Sequence, residues 1–233
     1  MRARTLRALA ALLHYPDADL RAAVPDIRAV LSEEGMLRAR DVRRIEPLLL
    51  QLAGGDLLAA QEHYVEIFDR GRNHSLHLFE HVHGESRDRG QAMVDLRQRY
   101  IDAGLEPSGN ELPDYLPLFL EYCSTLPRGA AVEGLSEPGV IIALLAGRLA
   151  ARGTPYAGVM AVLADMAGAQ SPEDQAVAED VDDLAALDAA WAEEEVRFGA
   201  MAPASPDAAD CPQVQDMVAR MRDIAEPLAE RSH

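Results

Sequence analysis

A chain of 233 residues, 48% of them hydrophobic, can build one large core or two small ones. Its 22 basic and 39 acidic residues leave a formal charge of −17, which excludes binding built on surplus Lys and Arg, whether to nucleic acid or to anionic lipid. A surface of that sign steers basic peptides and proteins towards itself and keeps the chain in solution.

The two cysteines, Cys123 and Cys211, lie far apart and in no C-x-x-C arrangement, the pattern of a reducing compartment without a disulfide framework. No apolar run approaches the roughly eighteen residues of a membrane span, so no direct membrane insertion is expected. The start, MRARTLRALAALLHYP, combines Arg with apolar residues as targeting peptides do, but its apolar part is short and broken by Arg7. Leu6, Leu9, Ala10 and Leu13 instead follow the i, i+3, i+4, i+7 stripe of a core-facing helix. The cytoplasm is the default location.

Nearly every later segment keeps the helical period, and strand alternation is hard to find. Pro25 is expected to divide the second helical region in two. Val42, Ile45, Leu49 and Leu52 mark one helix, and Leu57, Tyr64, Val65 and Phe68 the next. Further stripes are Ile141, Leu144, Leu145 and Leu149, then Val159, Val162, Leu163 and Met166. Leu184, Leu187 and Trp191 continue the pattern, as does the run from Val214 to Leu228. Gly35, Gly104 and Gly153 sit where helices should stop, and Thr154 and Ser171 are offered as N-caps ahead of Pro155 and Pro172. The fold class predicted is all-α, roughly ten helices in one globular domain over 1–198. An Ala/Pro/Asp-rich linker and a terminal helix follow over 199–233. The run Glu173–Glu195 carries many acids and no basic residue, as a solvated helix face does.

No phosphate loop, dinucleotide fingerprint, nucleophile elbow or H-E-x-x-H is present. Cys123, inside FLEYCSTL, reads as a buried structural thiol rather than a nucleophile. The chemically suggestive stretch is NHSLHLFEHVHGESRDRGQAM, Asn73 to Met93, with four of the seven histidines. If Asn73 or Ser75 caps a helix to about His83, then His77 and His81 at i, i+4 lie about 40° apart, opposite an apolar arc. Two such imidazoles could take two positions of a zinc or iron site. Nothing supplies the remaining ligands, so no metal site is predicted, and a metal-dependent enzyme or metal-binding protein built on His77 and His81 is the alternative. After it, ESRDRGQAMVDLRQRY reads as a helix capped by Ser86, with Met93, Leu96 and Tyr100 inside and an Asp95–Arg99 pair. Arg87, Asp88 and Arg89 are expected to hold the Glu80–Glu85 corner.

The run YVEIFDRGRNHSLHLFEHVHGESRDRGQAMVDL, Tyr64 to Leu96, with ELPDYLPLFLEY at Glu111 to Tyr122, closely resembles the NarJ-type family. These are the assembly chaperones for the molybdenum-cofactor subunit of respiratory nitrate reductase. LRALAALLHYPD near the start, and WAEEEVRFG followed by CP near the end, fit as well. The resemblance implies a non-enzymatic, all-helical cytoplasmic chaperone with no cofactor of its own. Its partner would be the apo catalytic (alpha) subunit of nitrate reductase, including the N-terminal peptide of that subunit. Binding would keep the subunit open for cofactor insertion before membrane attachment. Some relatives also meet molybdenum-cofactor delivery proteins or the cofactor itself, for which no motif is recognisable here. A client helix with basic and apolar residues suits an acidic host by the helix-in-groove mode. Candidates for the groove floor are Tyr64, Phe68, Phe79, Leu116, Phe119 and Tyr122, each of which could equally be ordinary core. Candidates for the acidic rim are Glu66, Asp69, Glu80, Glu85 and Asp114, with His81 shaping the same face.

Overall fold

The computed structural model describes residues 3–82, 87–106 and 111–169. All of them belong to the first of two units into which the chain divides, Met1–Gln175. The second, Ala176–His233, lies outside the described residues. With it go the expected boundary after 198, the acidic run, Trp191, Cys211 and the terminal helix.

Among the described residues the architecture is all-α, as the periodicity predicts. Its helices are α1 (Arg4–Leu12), α2 (Ala18–Glu33), α3 (Ala39–Gly54), α4 (Leu57–Phe68), α5 (Arg87–Asp102), α6 (Leu116–Thr125), α7 (Arg128–Ser136), α8 (Gly139–Ala151) and α9 (Tyr156–Met166). No single helix among them is long and apolar enough to cross a membrane. The α1 stripe is fully buried at Leu6, Leu9, Ala10 and Leu13, and α1 packs on both α6 and α2. From α2 the packing passes to α3, then to α9, which also lies along α8 and α7. The core runs through this stack, with Ile45, Leu48 and Leu49 facing Val159, Met160 and Leu163 in one continuous cluster.

Two local expectations fail for physical reasons. Pro25 does not divide the second helix, which runs unbroken from Ala18 to Glu33. A helical proline costs about 3 kcal/mol, whereas burying Val24, Ile27 and Leu31 on the opposite face gains roughly 1.5–3 kcal/mol each. Pro25 itself is exposed, so water can satisfy the carbonyl it leaves unpaired. Pro47 sits in α3 in the same way. Thr154 does not cap α9 through its side chain; its hydroxyl lies 2.9 Å from His63 Nε2 on α4. By contrast Gly35, Gly104 and Gly153 stop their helices as expected, all at positive φ. The start of α1 is capped from afar, because the Glu34 carboxylate accepts from Arg4 N–H, Thr5 N–H and the Thr5 hydroxyl.

The closest backbone approach in the stack is at Gly158, where α9 crosses α3. A Cβ there would overlap the Arg44 carbonyl oxygen and carbon, main-chain atoms that cannot swing aside. Gly147 on α8 has open space at the same position. Gly158→Ala should therefore lower stability by roughly 1–3 kcal/mol. Gly147→Ala should raise it by about 0.5–1 kcal/mol through helix propensity. Thermal or urea denaturation of the two variants reads the opposite signs directly.

Candidate functional site

Between α4 and α5 the chain does not form the helix that the sequence suggests. Two single turns of 3-10 helix, Arg72–His74 and Leu78–His81, flank an extended stretch centred on His77, which pairs antiparallel with Tyr115. Leu78 N–H donates to the Asp114 carbonyl at 3.0 Å, and Leu116 N–H to the Leu76 carbonyl at 2.8 Å. Backbone donors committed across the chain are unavailable for an i to i−4 ladder.

Asp114 makes this pairing obligatory. Its side chain is fully buried, and it was expected on an exposed rim. One carboxylate oxygen accepts from Phe79 N–H at 3.0 Å and the other from His77 Nδ1 at 3.2 Å. A buried carboxylate without such partners would cost several kcal/mol. Asp114 is thus a structural ion that orients His77 and ends the apolar approach of Phe79.

This geometry also removes the basis of the metal alternative. His77 and His81 do not share a helix face; His77 turns to Asp114, and His81 Nε2 donates to the Ser75 carbonyl at 2.8 Å. Among the described residues no group of three or more His, Cys, Asp or Glu is placed to hold a metal ion. The two imidazoles titrate in opposite directions. Hydrogen bonding and charge from Asp114 hold His77 above its ordinary value against the opposing effect of burial. Burial, helped by the Arg148 guanidinium, pushes His81 down despite its bond to Ser75.

The pairing delivers Tyr115 into an array of rings. The Tyr115 ring lies 5.3 Å from His77 and 5.7 Å from His14. Its hydroxyl is 3.2 Å from that of Tyr64, which donates to the Leu13 carbonyl at 3.0 Å. Tyr64 packs edge-on against Tyr15, whose ring is 47% exposed. Acids surround these rings. Glu121 lies 4.0 Å from His14 Nε2. The charges of Glu111 and Asp69 add to burial in keeping the Tyr115 phenol protonated, and those of Glu80 and Glu111 add to the Asp114 effect on His77. Leu112 gives the face an exposed aliphatic edge.

Set against this face, the candidate residues separate clearly. Tyr64, Phe68, Phe79, Leu116 and Phe119 are buried core, and Tyr122 is half-buried beside Tyr100. Asp69 and Glu80 stand among the acids around the rings. Glu66 faces Arg152 at 3.8 Å instead. Arg89 reaches Glu80 at 3.6 Å, as the corner expectation requires. Glu85, like His83 and Ser86, lies outside the described residues. Tyr15, Tyr115, Glu111 and Glu121 were not singled out from the sequence, and His14 was offered there only as a spare metal ligand. The dipeptide His14-Tyr15 directly after an apolar stripe was the available signal.

Among the described residues the domain is all-α and presents an acid-edged face of rings, with no group of ligands placed to hold a metal ion. The chain belongs to the nitrate reductase delta subunit family, whose profile matches residues 15–162. The nitrate reductase molybdenum cofactor assembly chaperone NarJ of Escherichia coli (strain K12) is 46% identical over 193 residues, covering 80% of this chain and 81% of that protein. The probable assembly chaperone NarW of the same organism is 44% identical over 198 residues, 83% of each chain. The probable NarJ of Bacillus subtilis (strain 168) is 34% identical over 159 residues, 68% of this chain and 85% of that protein.

Two pH effects of opposite sign follow. The raised His77 adds stability that is full below about pH 6.5, the free imidazole value, and is lost as pH rises through its folded value. The lowered His81 adds stability that is present above about pH 6.5 and is lost as pH falls towards its folded value. His77→Gln should flatten the alkaline side of a denaturation-midpoint profile, and His81→Gln the acid side. Asp114→Ala should cost about 1–3 kcal/mol for each partner left unpaired, and its midpoint should fall at every pH.

Proposed function

We propose that the protein is a dedicated assembly chaperone for a respiratory nitrate reductase. It binds the apo catalytic subunit in the cytoplasm, including its N-terminal segment, and keeps it open for molybdenum cofactor insertion before membrane attachment. The observation that carries this reading is the likeness, across four-fifths of both chains, to a protein named as a nitrate reductase molybdenum cofactor assembly chaperone. On this reading the protein is a binding partner of an enzyme and not an enzyme itself. Handover from molybdenum-cofactor delivery proteins belongs to the same proposal as a second contact.

The acid-edged ring face supports a particular mode of recognition. A client helix with one apolar stripe and flanking Lys or Arg would lay the stripe on Tyr15, Tyr115 and Leu112. Its cations would reach Asp69, Glu111 and Glu121. Exposed charges of this kind contribute more to encounter rate and specificity than to affinity, whereas the rings supply the buried area.

Calorimetry with the N-terminal peptide of the client tests this. Tyr15→Ala and Glu111→Arg should each weaken binding roughly tenfold, about 1.4 kcal/mol, within the range of an interface anchor. Added salt should weaken the wild-type interaction further. Asp26→Arg, on the exposed side of α2, should change little. Absence of binding to the wild-type chain would refute the peptide contact, and equal losses in all three variants would refute its location.

A further inference from the structure

Helix α5 is long for the little it buries. Of its described side chains only Leu96 and Tyr100 are buried, Ala92 and Met93 pack half-buried against the core, and Val94 and Ile101 stand exposed. The shorter α6 buries six side chains. Polar anchors hold α5 in place. Arg99 forks onto Glu137 of the α7–α8 junction at 3.0 and 3.2 Å, and the Tyr100 hydroxyl donates to the Pro113 carbonyl at 2.7 Å. Near the other end stands the longer Arg89–Glu80 contact. Asp95, expected to pair with Arg99, accepts instead from Gln91.

Beneath α5 lies the outer side of α6. The Tyr100 ring sits 4.9 Å from Tyr122, which in turn lies 6.3 Å from Phe119. Cys123 is fully buried in the same place, and a Cβ on Gly134 of α7 would come within 3.6 Å of its sulfur. Burial and the charge of Glu137 push the Cys123 thiol up to about 12, which makes it inert while covered.

We propose that α5 is a displaceable arm, a built-in occupant of a helix-binding surface on α6 and the α7–α8 junction. The arm displays the chemistry of the partner it stands in for. That partner is an amphipathic helix with apolar residues four apart, as Leu96 and Tyr100 are, and a cation in the Arg99 position to meet Glu137. This surface adjoins the ring face around Tyr115 through Pro113 and Glu80 but is lined by other residues, Phe119, Tyr122 and Glu137, and the inference does not depend on which client the chaperone serves. Elements held by few buried side chains and a few polar ties open at lower free energy than the core. The Arg99–Glu137 pair is itself shielded, with side-chain exposures of 22% and 14%, so breaking one half frees a poorly hydrated charge.

Cys123 reports the opening. In a full-length chain carrying Cys211→Ser, Cys123 is the single remaining thiol, and its rate of modification by a disulfide reagent measures exposure of the α6 surface. Arg99→Glu should accelerate modification roughly tenfold or more, while the far-ultraviolet dichroism and the thermal midpoint show the helical core intact. Adding Glu137→Arg to that variant should restore the slow rate, because the reversed pair closes again. In the Arg99→Glu chain, a synthetic peptide of residues 87–102 with its native arginine should protect Cys123. The same peptide carrying glutamate there should not. The arm is refuted if Arg99→Glu leaves the rate unchanged or speeds it only as far as global unfolding does. Failure of the charge-swapped pair to restore protection refutes the lock. Equal protection by both peptides, or by neither, refutes the partner assignment.

Discussion

The organisation of the ring face depends on one buried carboxylate. Asp114 is removed from water in a loop, where no regular ladder supplies donors, so its surroundings had to be built to satisfy it. Phe79 N–H and His77 Nδ1 do so, and the Asp114 carbonyl takes Leu78 N–H as well. Three groups of the segment after α4 are thereby tied to one residue ahead of α6. That tie excludes a continuous helix through the histidines and inserts Leu76, Leu78 and Phe79 into the core. It also turns Tyr115 towards Tyr64 and His14. Tyr64 passes the constraint on to α1 through its bond to Leu13, directly before the exposed Tyr15. Residues from four distant parts of the chain meet on one face because a single charge required partners.

The remainder of the described chain divides by how its helices are held. The stack of α3, α9 and α8 is bound by continuous apolar burial and by main-chain contact at Gly158, with Arg44 bridging to Asp165 at its edge. Such an arrangement has no intermediate geometry; it is packed or it is broken. Helix α5 is bound by two buried side chains, Leu96 and Tyr100, and by several polar ties. A rigid stack beside a loosely tied helix is suited to a protein that must hold a partner and later release it.

Much of the fold was legible in the sequence, because helical periodicity records burial directly. The α1 stripe is buried throughout, and most of the stripes of α3, α4, α8 and α9 are too, with Val42, Leu57, Val65, Leu144 and Met166 half-buried at their edges. The misreadings share a different cause. Pro25 reads as a break only if its exposed position is ignored, and exposure is a property of the packed helix rather than of the dipeptide. His77 and His81 fit one helix face by spacing alone; the bonds that prevent it come from residues more than thirty positions away. Asp114, set between Pro113 and Tyr115, resembles an ordinary loop acid until its neighbours are known. Arg99 chose Glu137 over the nearer Asp95 because a two-pronged bond in a shielded site outweighs a single exposed helix pair. Local pattern identified the elements, while the site arose from contacts that local pattern does not encode.

The same distinction would let the proposed face be selective without being sticky. Its rings are not bare apolar surface, since the Tyr115 and Tyr64 hydroxyls and His77 Nδ1 already have partners within the protein. A helix laid across them would bury carbon without stranding those groups, which lowers the desolvation cost that opposes binding. The acids around them remain wet at the edge, where they repel acidic segments and leave neutral ones unsteered. A purely apolar peptide gains nothing from the rim, and a purely basic one gains only screened, exposed pairs worth little each. Both features must arrive together on one helix before the contacts reinforce one another. In a chain of formal charge −17 the acidity is general, so discrimination by the proposed mode would rest on the place where rings and acids coincide. Asp114 fixes that place.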